Sequence, residues 1–174
     1  YKKFKNQGTL FSNQLTDRFL KKGYQKILIE IDGEKIMVVN THLASLYKSK
    51  SIKEKKVILK QFSELLNDLK KSKEKMIVAG DFNFQFTEDV YRVLSDETNL
   101  YDPLKEEDII TVSKENTQRK NFYKIKKNTR LDYILLSRDL RSTNFKLILK
   151  DLYRLNKKDV NLSDHYGLMM EVEG

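Results

Sequence analysis

The chain contains two histidines, and both stand beside polar or acidic residues in short motifs. His42 lies in the sequence Asn-Thr-His-Leu, and His165 directly follows Asp164 in Ser-Asp-His. An imidazole in such a setting can transfer a proton, bind a phosphate oxygen or ligate a metal, because its ordinary pKa is close to neutrality. A single histidine is more often structural, so a catalytic role requires acidic partners.

Acidic partners stand at or within two apolar runs of the sequence. Asp81 and Asn83 follow the run 76–79, and Asp132 lies inside the otherwise apolar run 131–136. A carboxylate buried in a strand costs roughly several kcal/mol unless it is paired or hydrogen-bonded. We therefore expect Asp132 to have a partner, and an imidazole is a good candidate.

Four motifs together resemble the endonuclease/exonuclease/phosphatase superfamily, and they are Asn40–Leu43, Gly80–Asn83, Arg130–Ile134 and Ser163–His165. They occur in the order and approximate spacing of that superfamily, and the likeness extends from Gly23 to the end of the chain. The resemblance implies an α/β fold, a two-layer β-sandwich flanked by helices, whose N-terminal part is missing from this sequence. It also implies Mg²⁺- or Mn²⁺-assisted attack of water on phosphorus.

Carried over by position, the resemblance implies a role for each catalytic residue. Asp81 would orient or deprotonate the attacking water, and Asn83 would contact the scissile phosphate or the metal. His165 would hydrogen-bond a phosphoryl oxygen, while Asp132 holds its imidazole in one tautomer. His42 would contact the phosphate or the leaving group.

The metal site that the resemblance implies is incomplete. Asp164, Asp81 and Asn83 would ligate the metal, but the family also uses an upstream Asn and an upstream Glu that have no match here. We expect the natural protein to extend upstream, with residues 1–174 forming the larger, C-terminal part of one catalytic domain. The chain by itself should bind Mg²⁺ weakly and should expose a sheet edge and apolar surface.

Within the superfamily, a sphingomyelinase-like phospholipase C is slightly favoured. The segments Asp17–Tyr24 and Asn40–Tyr47 resemble neutral sphingomyelinase-like members, although the exposed aromatic hairpin of bacterial sphingomyelinases has no clear equivalent. The alternatives are an endonuclease or deoxyribonuclease, an inositol-phosphate phosphatase, and a non-catalytic basic binding module. The expected partner is a phosphodiester, either a phospholipid head group or nucleic acid, with peripheral contact to a membrane.

Composition restricts the chemistry further. The absence of cysteine excludes disulfides, thiolate zinc sites and cysteine nucleophiles, which leaves oxygen and imidazole as metal ligands. A net charge of +9 favours a polyanionic or anionic-surface partner, but lysine-rich composition also serves solubility. No apolar run approaches the ~20 residues that span a bilayer. The sequence indicates neither a localisation nor an oligomeric state.

The first elements that must position these residues are a hairpin and a helix. Apolar, β-branched runs flank Asp32-Gly33, which predicts a β-hairpin over residues 24–43. Apolar residues then recur every three or four positions from Val57 to Leu69, which predicts an amphipathic helix beginning near Ser51.

The remaining elements alternate in a way typical of an α/β domain. A buried strand over 76–79 leads into Gly80–Asn83, and Thr87 begins a second helix that ends near Leu94. The basic segment Ser113–Arg130 is predicted to be a surface loop. Three more strands are expected, with a polar stretch at 156–159 between the last two: they cover 131–137, 145–149 and 166–173.

Overall fold

The structure is a computed structural model that describes residues 1–7, 21–45, 52–122 and 127–174. Within these residues the strands are β1 (Lys2–Lys3), β2 (Gly23–Ile31), β3 (Glu34–His42), β4 (Lys75–Asp81), β5 (Leu100–Tyr101), β6 (Asp132–Ser137), β7 (Arg141–Ile148), β8 (Tyr153–Leu155), β9 (Lys158–Val160) and β10 (Gly167–Glu173). The helices are α1 (Ile52–Leu69), α2 (Glu88–Glu97) and α3 (Thr117–Phe122). None of the described helices is long and apolar enough to cross a membrane.

Six strands form the main sheet, in the order β1-β2-β3-β4-β6-β5. The pair β3–β4 is parallel, and the other neighbouring pairs are antiparallel. The predicted hairpin is confirmed as β2–β3, and its turn residues Asp32 and Gly33 both have positive φ, as tight hairpin turns require. Strands β7 and β10 form a second, two-stranded sheet, and β10 contacts β6. The predicted α/β class with two sheets and helices is confirmed.

Helices α1 and α2 pack on one face of the main sheet. The predicted apolar stripe of α1 is buried, with Leu65 and Leu69 fully inside the core together with Val39 and Val78 of the sheet. Helix α2 begins after the predicted residue Thr87, whose hydroxyl accepts a hydrogen bond from the Val90 N–H. Because side chains alternate along a strand, burial of these valines on one face turns the intervening residues to the other face.

That other face and the β2 edge carry the exposed apolar surface that the sequence predicted. Ile27 and Ile31 of β2 are 57% and 53% exposed. Strand β1 pairs only with the first two residues of β2, so residues 25–31 pair with β3 on one side and with no described strand on the other. Among the described residues, this side of β2 is open and carries exposed apolar side chains, as expected.

The basic segment 113–130 differs from its prediction. It contains α3 and a β-bridge to Thr129, and Asn116 is fully buried. The prediction of a surface loop was wrong here because polar side chains can be buried when they are hydrogen-bonded. The Nδ2 of Asn116 donates to the Ser163 carbonyl at 2.9 Å. Residues 123–126 of this segment lie outside the described residues.

A further hairpin, β8–β9, occupies the region around the polar stretch 156–159. The sequence pattern did not predict these two strands because each has only three residues, which is too short for a period of two to be recognised. Asn156 and Lys157 form the turn and both have positive φ, at 47° and 65°, which matches the right-handed twist of two-residue hairpins.

Candidate active site

Strands β3, β4 and β6 each place one ionisable side chain at the same end of the main sheet, where β3 and β4 end and β6 begins. His42 is the register partner of Asp81, and Asp81 is the register partner of Asp132. Residues in register on neighbouring strands point to the same face of a sheet. The sheet therefore places three of the predicted residues in one row, on the face opposite α1 and α2.

The Gly-Asp-Phe-Asn motif fixes the centre of this row. Gly80 has a φ of +148°, and a Cβ at this position would lie 1.9 Å from the carbonyl oxygen of Thr41, so only glycine lets β4 approach β3 this closely. Phe82 is fully buried and anchors the motif in the core. Asn83 has a φ of 58°, a left-handed conformation that asparagine tolerates better than most residues.

This conformation lets Asn83 hold the Asp81 carboxylate from two directions. The main-chain N–H of Asn83 donates to Oδ1 at 2.8 Å, and its side-chain Nδ2 donates to Oδ2 at 3.0 Å. Burial and the neighbouring Asp132 carboxylate raise the pKa of Asp81 to about 6, while the charge of His165 and the Asn83 N–H oppose the rise. A carboxyl group with this pKa is ionised at neutral pH and is well matched to accept a proton from water.

Asp132 and His165 form the hydrogen bond that the sequence predicted. The Nδ1 of His165 lies 2.7 Å from Oδ2 of Asp132, and both side chains are about four-fifths buried. Burial alone would lower the pKa of His165, but the hydrogen bond and the charge of Asp132 raise it above its ordinary value. With Nδ1–H donated to Asp132, Nε2 is the ring nitrogen that remains for chemistry.

The buried residue Thr111 positions this pair. Its hydroxyl accepts hydrogen bonds from the main-chain N–H groups of Leu131 and Asp132, at 3.0 and 3.3 Å. Its carbonyl accepts from the Tyr166 N–H at 2.8 Å. One residue thus ties the start of β6 to the segment that carries His165, a connection that no sequence pattern indicated.

Three of the predicted residues form a group that suits a divalent cation. Asp81, Asp132 and His165 each offer one ligand atom, and these atoms lie within 4.8 Å of one another. Carboxylate oxygens are the ligands that Mg²⁺ and Mn²⁺ prefer, and an imidazole nitrogen is tolerated by Mn²⁺. Asp132 joins this group although it was predicted only as the partner of His165.

The other two predicted metal ligands, Asn83 and Asp164, make contacts of their own, which occupy the amide nitrogen of Asn83 and one of the two carboxylate oxygens of Asp164. The side chain of Asn83 also donates through Nδ2 to the Leu43 carbonyl, at 2.9 Å. The carboxylate of Asp164 is half-exposed and pairs with Arg119, with Nη2 and Oδ2 3.0 Å apart. Their metal ligation stays a prediction.

His42 lies at the more open end of the row, with its side chain 55% exposed. Its Nε2 is 2.8 Å from the Nζ of Lys22 and 3.4 Å from Oδ2 of Asp81. A neutral imidazole accepts from Lys22 through this nitrogen, whereas a protonated one donates toward Asp81. His42 can therefore exchange a proton in contact with the Asp81 carboxylate. Of the segments 17–24 and 40–47 that resemble sphingomyelinases, residues 17–20 and 46–47 lie outside the described residues.

Two arginines take part in the hydrogen bonds around the candidate active site. The sequence pattern did not distinguish them from the other basic residues. Arg130 is nearly buried and pairs with the buried Asp102 at 2.9 Å, which leaves Asp132 to His165 rather than to an arginine. Arg119 of α3 donates through Nε to the carbonyl of Asp164 at 3.1 Å, and its Nη2 is in close contact with Nε2 of His165. Nothing in the pattern of the basic segment distinguished Arg119 from its neighbours.

The sequence matches the model of the Endonuclease/Exonuclease/phosphatase family over residues 28–165. This range includes the row of ionisable residues and ends at His165. No curated protein matches the sequence.

Solved structures share the fold at low sequence identity. A family protein from Leptotrichia buccalis is 23% identical with a TM-score of 0.57, over 87% of this chain and 54% of its own. A mannosyl-6-phosphatase from Bacteroides thetaiotaomicron is 20% identical with a TM-score of 0.64, over 89% and 58%. TDP2 from D. rerio, solved with a single-strand DNA product, is 19% identical with a TM-score of 0.64, over 88% and 62%. The chain therefore spans less than two thirds of the length of each of these proteins.

Proposed function

The chain belongs to the endonuclease/exonuclease/phosphatase family, and on that premise we propose that it forms the catalytic part of a metal-dependent phosphodiester hydrolase. The observation that carries the proposal is the approach of Asp81, Asp132 and His165 to within 4.8 Å at one end of the sheet. Ionisable groups that are partly buried and shift each other's pKa values are typical of active sites.

The proposed reaction is attack of a water oxygen on phosphorus with cleavage of the bond to the leaving oxygen. Asp81 orients the water and accepts its proton, because a carboxyl group with a pKa of about 6 is ionised at pH 7. His165 donates from Nε2 to a phosphoryl oxygen while Asp132 accepts from Nδ1–H and stabilises the charged imidazole. His42, beside Asp81, contacts the phosphate or gives a proton to the leaving oxygen.

A divalent cation fits this site because two carboxylates converge there. Asp81 and Asp132 would hold Mg²⁺ or Mn²⁺, with Asn83 and Asp164 as further proposed ligands. When bound, the ion would neutralise charge on the phosphoryl oxygens.

A phospholipid head group is the favoured substrate, as for a sphingomyelinase-like phospholipase C. The hairpin β8–β9 supports contact with a lipid surface, because its exposed apolar residues stand among basic ones. Leu152 and Leu155 are 59% and 53% exposed, Tyr153 is 43% exposed, and Arg154 lies between them. Apolar side chains flanked by cations suit the interface of an anionic membrane.

Nucleic acid is the alternative substrate. The net charge of +9 favours a polyanion, and the fold is shared with TDP2 in complex with a DNA product. An inositol-phosphate phosphatase is a further candidate within the same chemistry. The non-enzymatic alternative is a basic module that binds nucleic acid or anionic membrane without hydrolysis.

A release assay separates these functions. Sphingomyelin vesicles, phosphoinositides, plasmid DNA and abasic DNA are offered with Mg²⁺ to the 174-residue chain and to a form extended upstream. We expect the 174-residue chain by itself to be inactive or nearly so, and the extended form to hydrolyse phosphodiesters, with sphingomyelin turned over fastest. His165→Ala should abolish that activity. Binding of DNA or vesicles without turnover by any form of the protein would support the binding module and contradict the enzyme.

A further inference from the structure

Arg119 reaches the candidate active site from a segment outside the four sequence motifs. It lies on α3, whose first turn is fixed by Asn116: the Asn116 Oδ1 accepts from the N–H groups of Gln118 and Arg119, at 3.0 and 3.4 Å. The same asparagine donates to the carbonyl of Ser163 at 2.9 Å. The helix that carries Arg119 is therefore tied to the segment that carries His165.

The guanidinium of Arg119 is held in a defined place. Its side chain is only 11% exposed, and its Nη2 lies 3.0 Å from Oδ2 of Asp164. The Nε donates to the main-chain carbonyl of Asp164 at 3.1 Å, which adds a second point of attachment. A long side chain ordered in this way has already lost its conformational freedom before any ligand arrives.

The contact between Arg119 and His165 is made on the side of the imidazole that faces the reaction. The Nδ1 of His165 is engaged by Asp132, whereas Nη2 of Arg119 approaches Nε2. A guanidinium only donates hydrogen bonds, and the imidazole accepts from Nη2 through Nε2 as long as that nitrogen carries no proton. A phosphoryl group that enters the site has several oxygens, so it can accept from the guanidinium and lie beside the imidazole at the same time.

We propose that Arg119 binds a non-bridging oxygen of the substrate phosphoryl group, beside the oxygen that His165 contacts. The inference rests on the proposed function, because it assigns another residue to the same site. Asp164 holds the guanidinium in position until the phosphate arrives, and the phosphate then competes with the Asp164 carboxylate for it. Arginine suits this role because its planar fork matches two oxygens of one phosphate.

The alternative is that Arg119 only anchors the loop around Asp164. The two roles predict different effects of Asp164→Asn, which removes the carboxylate that pairs with Arg119. In Asp164→Asn, the bond from Nε to the main-chain carbonyl of residue 164 still positions the guanidinium, and the competing anion is gone. If Arg119 binds phosphate, phosphate binding is therefore retained or strengthened. If Arg119 is only an anchor, Asp164→Asn and Arg119→Gln disturb the site alike.

The test is titration of the 174-residue chain with inorganic phosphate, monitored by ³¹P NMR and calorimetry in the presence of EDTA. EDTA removes divalent cations, so the proposed metal ligation by Asp164 does not affect the measured phosphate affinity. We expect saturable binding that Arg119→Gln weakens by about tenfold or more, with Arg119→Lys in between and Asp164→Asn at least as tight as the wild type. Circular dichroism verifies the fold of each variant.

Arg92→Gln is the matched control. Arg92 makes an Arg–Asp pair of similar length, 2.9 Å to Asp89, but it is 71% exposed and lies on α2. It removes the same charge from the protein, so it should change phosphate affinity by less than about twofold. Long-range charge alone cannot then explain the loss in Arg119→Gln.

Three results would overturn the proposal: no saturable phosphate binding by the folded wild type, unchanged binding by Arg119→Gln, or equal losses in Arg119→Gln and Asp164→Asn. The titration does not depend on turnover, so it still decides the role of Arg119 if no hydrolysis is found. Conversely, the protein could hydrolyse its substrate and lose this activity in His165→Ala but not in Arg119→Gln. That result would support the proposed function and show that Arg119 has no part in it.

Discussion

The His165 imidazole donates to the Asp132 carboxylate across 2.7 Å, although the two residues are 33 positions apart in the sequence. Strand β6 fixes Asp132 in register with Asp81, and the Tyr166 N–H bonds to Thr111 next to the start of that strand. The sheet and one buried threonine thus bring the two side chains together. Its separation is that of a charge-assisted hydrogen bond.

Asp132→Asn should lower turnover by an active form of the protein, on the order of 10²- to 10⁴-fold, because the amide cannot stabilise a charged His165. The double variant with His165→Gln should be little worse than His165→Gln alone, since the two residues act as a unit. Steady-state kinetics of the four proteins would measure this. Additive losses in the double variant would show that the two side chains act independently.

Asp81→Ala should remove activity by about 10³-fold or more while the protein stays folded, because the carboxylate acts on the attacking water rather than on the core. Asp89→Ala is the control, since its carboxylate makes an exposed ion pair with Arg92 on α2. Initial rates are compared after circular dichroism confirms folding. Near wild-type turnover by folded Asp81→Ala would remove Asp81 from the catalytic role.

The stability of the metal-free protein should fall as pH rises from about 4 to about 6. Burial and Asp132 raise the pKa of Asp81 to about 6 in the folded state, so the folded state keeps a proton that the unfolded chain has already released. The free energy of unfolding therefore decreases across this window, by up to about 3 kcal/mol. Urea denaturation with EDTA at several pH values measures it.

Asp81→Asn should flatten the stability profile within that window. Asp68→Asn should lower stability by a constant amount above about pH 4 and change the slope only below it. Burial would raise the pKa of Asp68, but hydrogen bonds from Lys26 and Lys2 outweigh burial and lower the pKa to about 2. The stability that Asp68 contributes is present above the unfolded pKa and is lost as pH falls through about 2. An unchanged slope between pH 4 and 6 in Asp81→Asn would contradict the assignment to Asp81.

Mg²⁺ should bind the 174-residue chain only weakly, with a dissociation constant that is roughly millimolar. Two carboxylates in the group of Asp81, Asp132 and His165 are few for an ion that keeps its waters. Calorimetry with Mg²⁺ and paramagnetic relaxation with Mn²⁺ would measure the affinity, and Asp81→Asn should weaken it further. Micromolar affinity in the wild type would show that more ligands take part than those identified.

Gly80→Ala should destabilise the protein by at least about 3 kcal/mol, because its Cβ would overlap the Thr41 carbonyl oxygen and separate β3 from β4. Gly33→Ala is the matched control: Gly33 also has positive φ, +81°, but no atom lies within 4 Å of the added carbon. It should cost only about 1–2 kcal/mol from backbone strain. Equal urea midpoints for the two variants would contradict the close approach at Gly80.

Local sequence determined the elements that carry their own signal. Alternating apolar residues around Asp32-Gly33 and the three-to-four spacing through Leu65 and Leu69 predicted the β2–β3 hairpin and α1 correctly. The isolated charge of Asp132 within an apolar strand predicted a buried partner, because an unpaired carboxylate could not remain there. Such signals depend on the periodicity or burial of a few neighbouring residues, and a sequence displays both directly.

The tertiary structure alone decided which polar residues meet. Thr111 and Arg119 come from segments with no apolar period, and both reach the site through hydrogen bonds whose partners lie 20 or more residues away. The burial of Asn116 in a basic segment has the same origin, since a polar side chain can enter the interior only where distant groups complete its hydrogen bonds. Such pairing depends on three-dimensional positions, which leave no local pattern in the sequence.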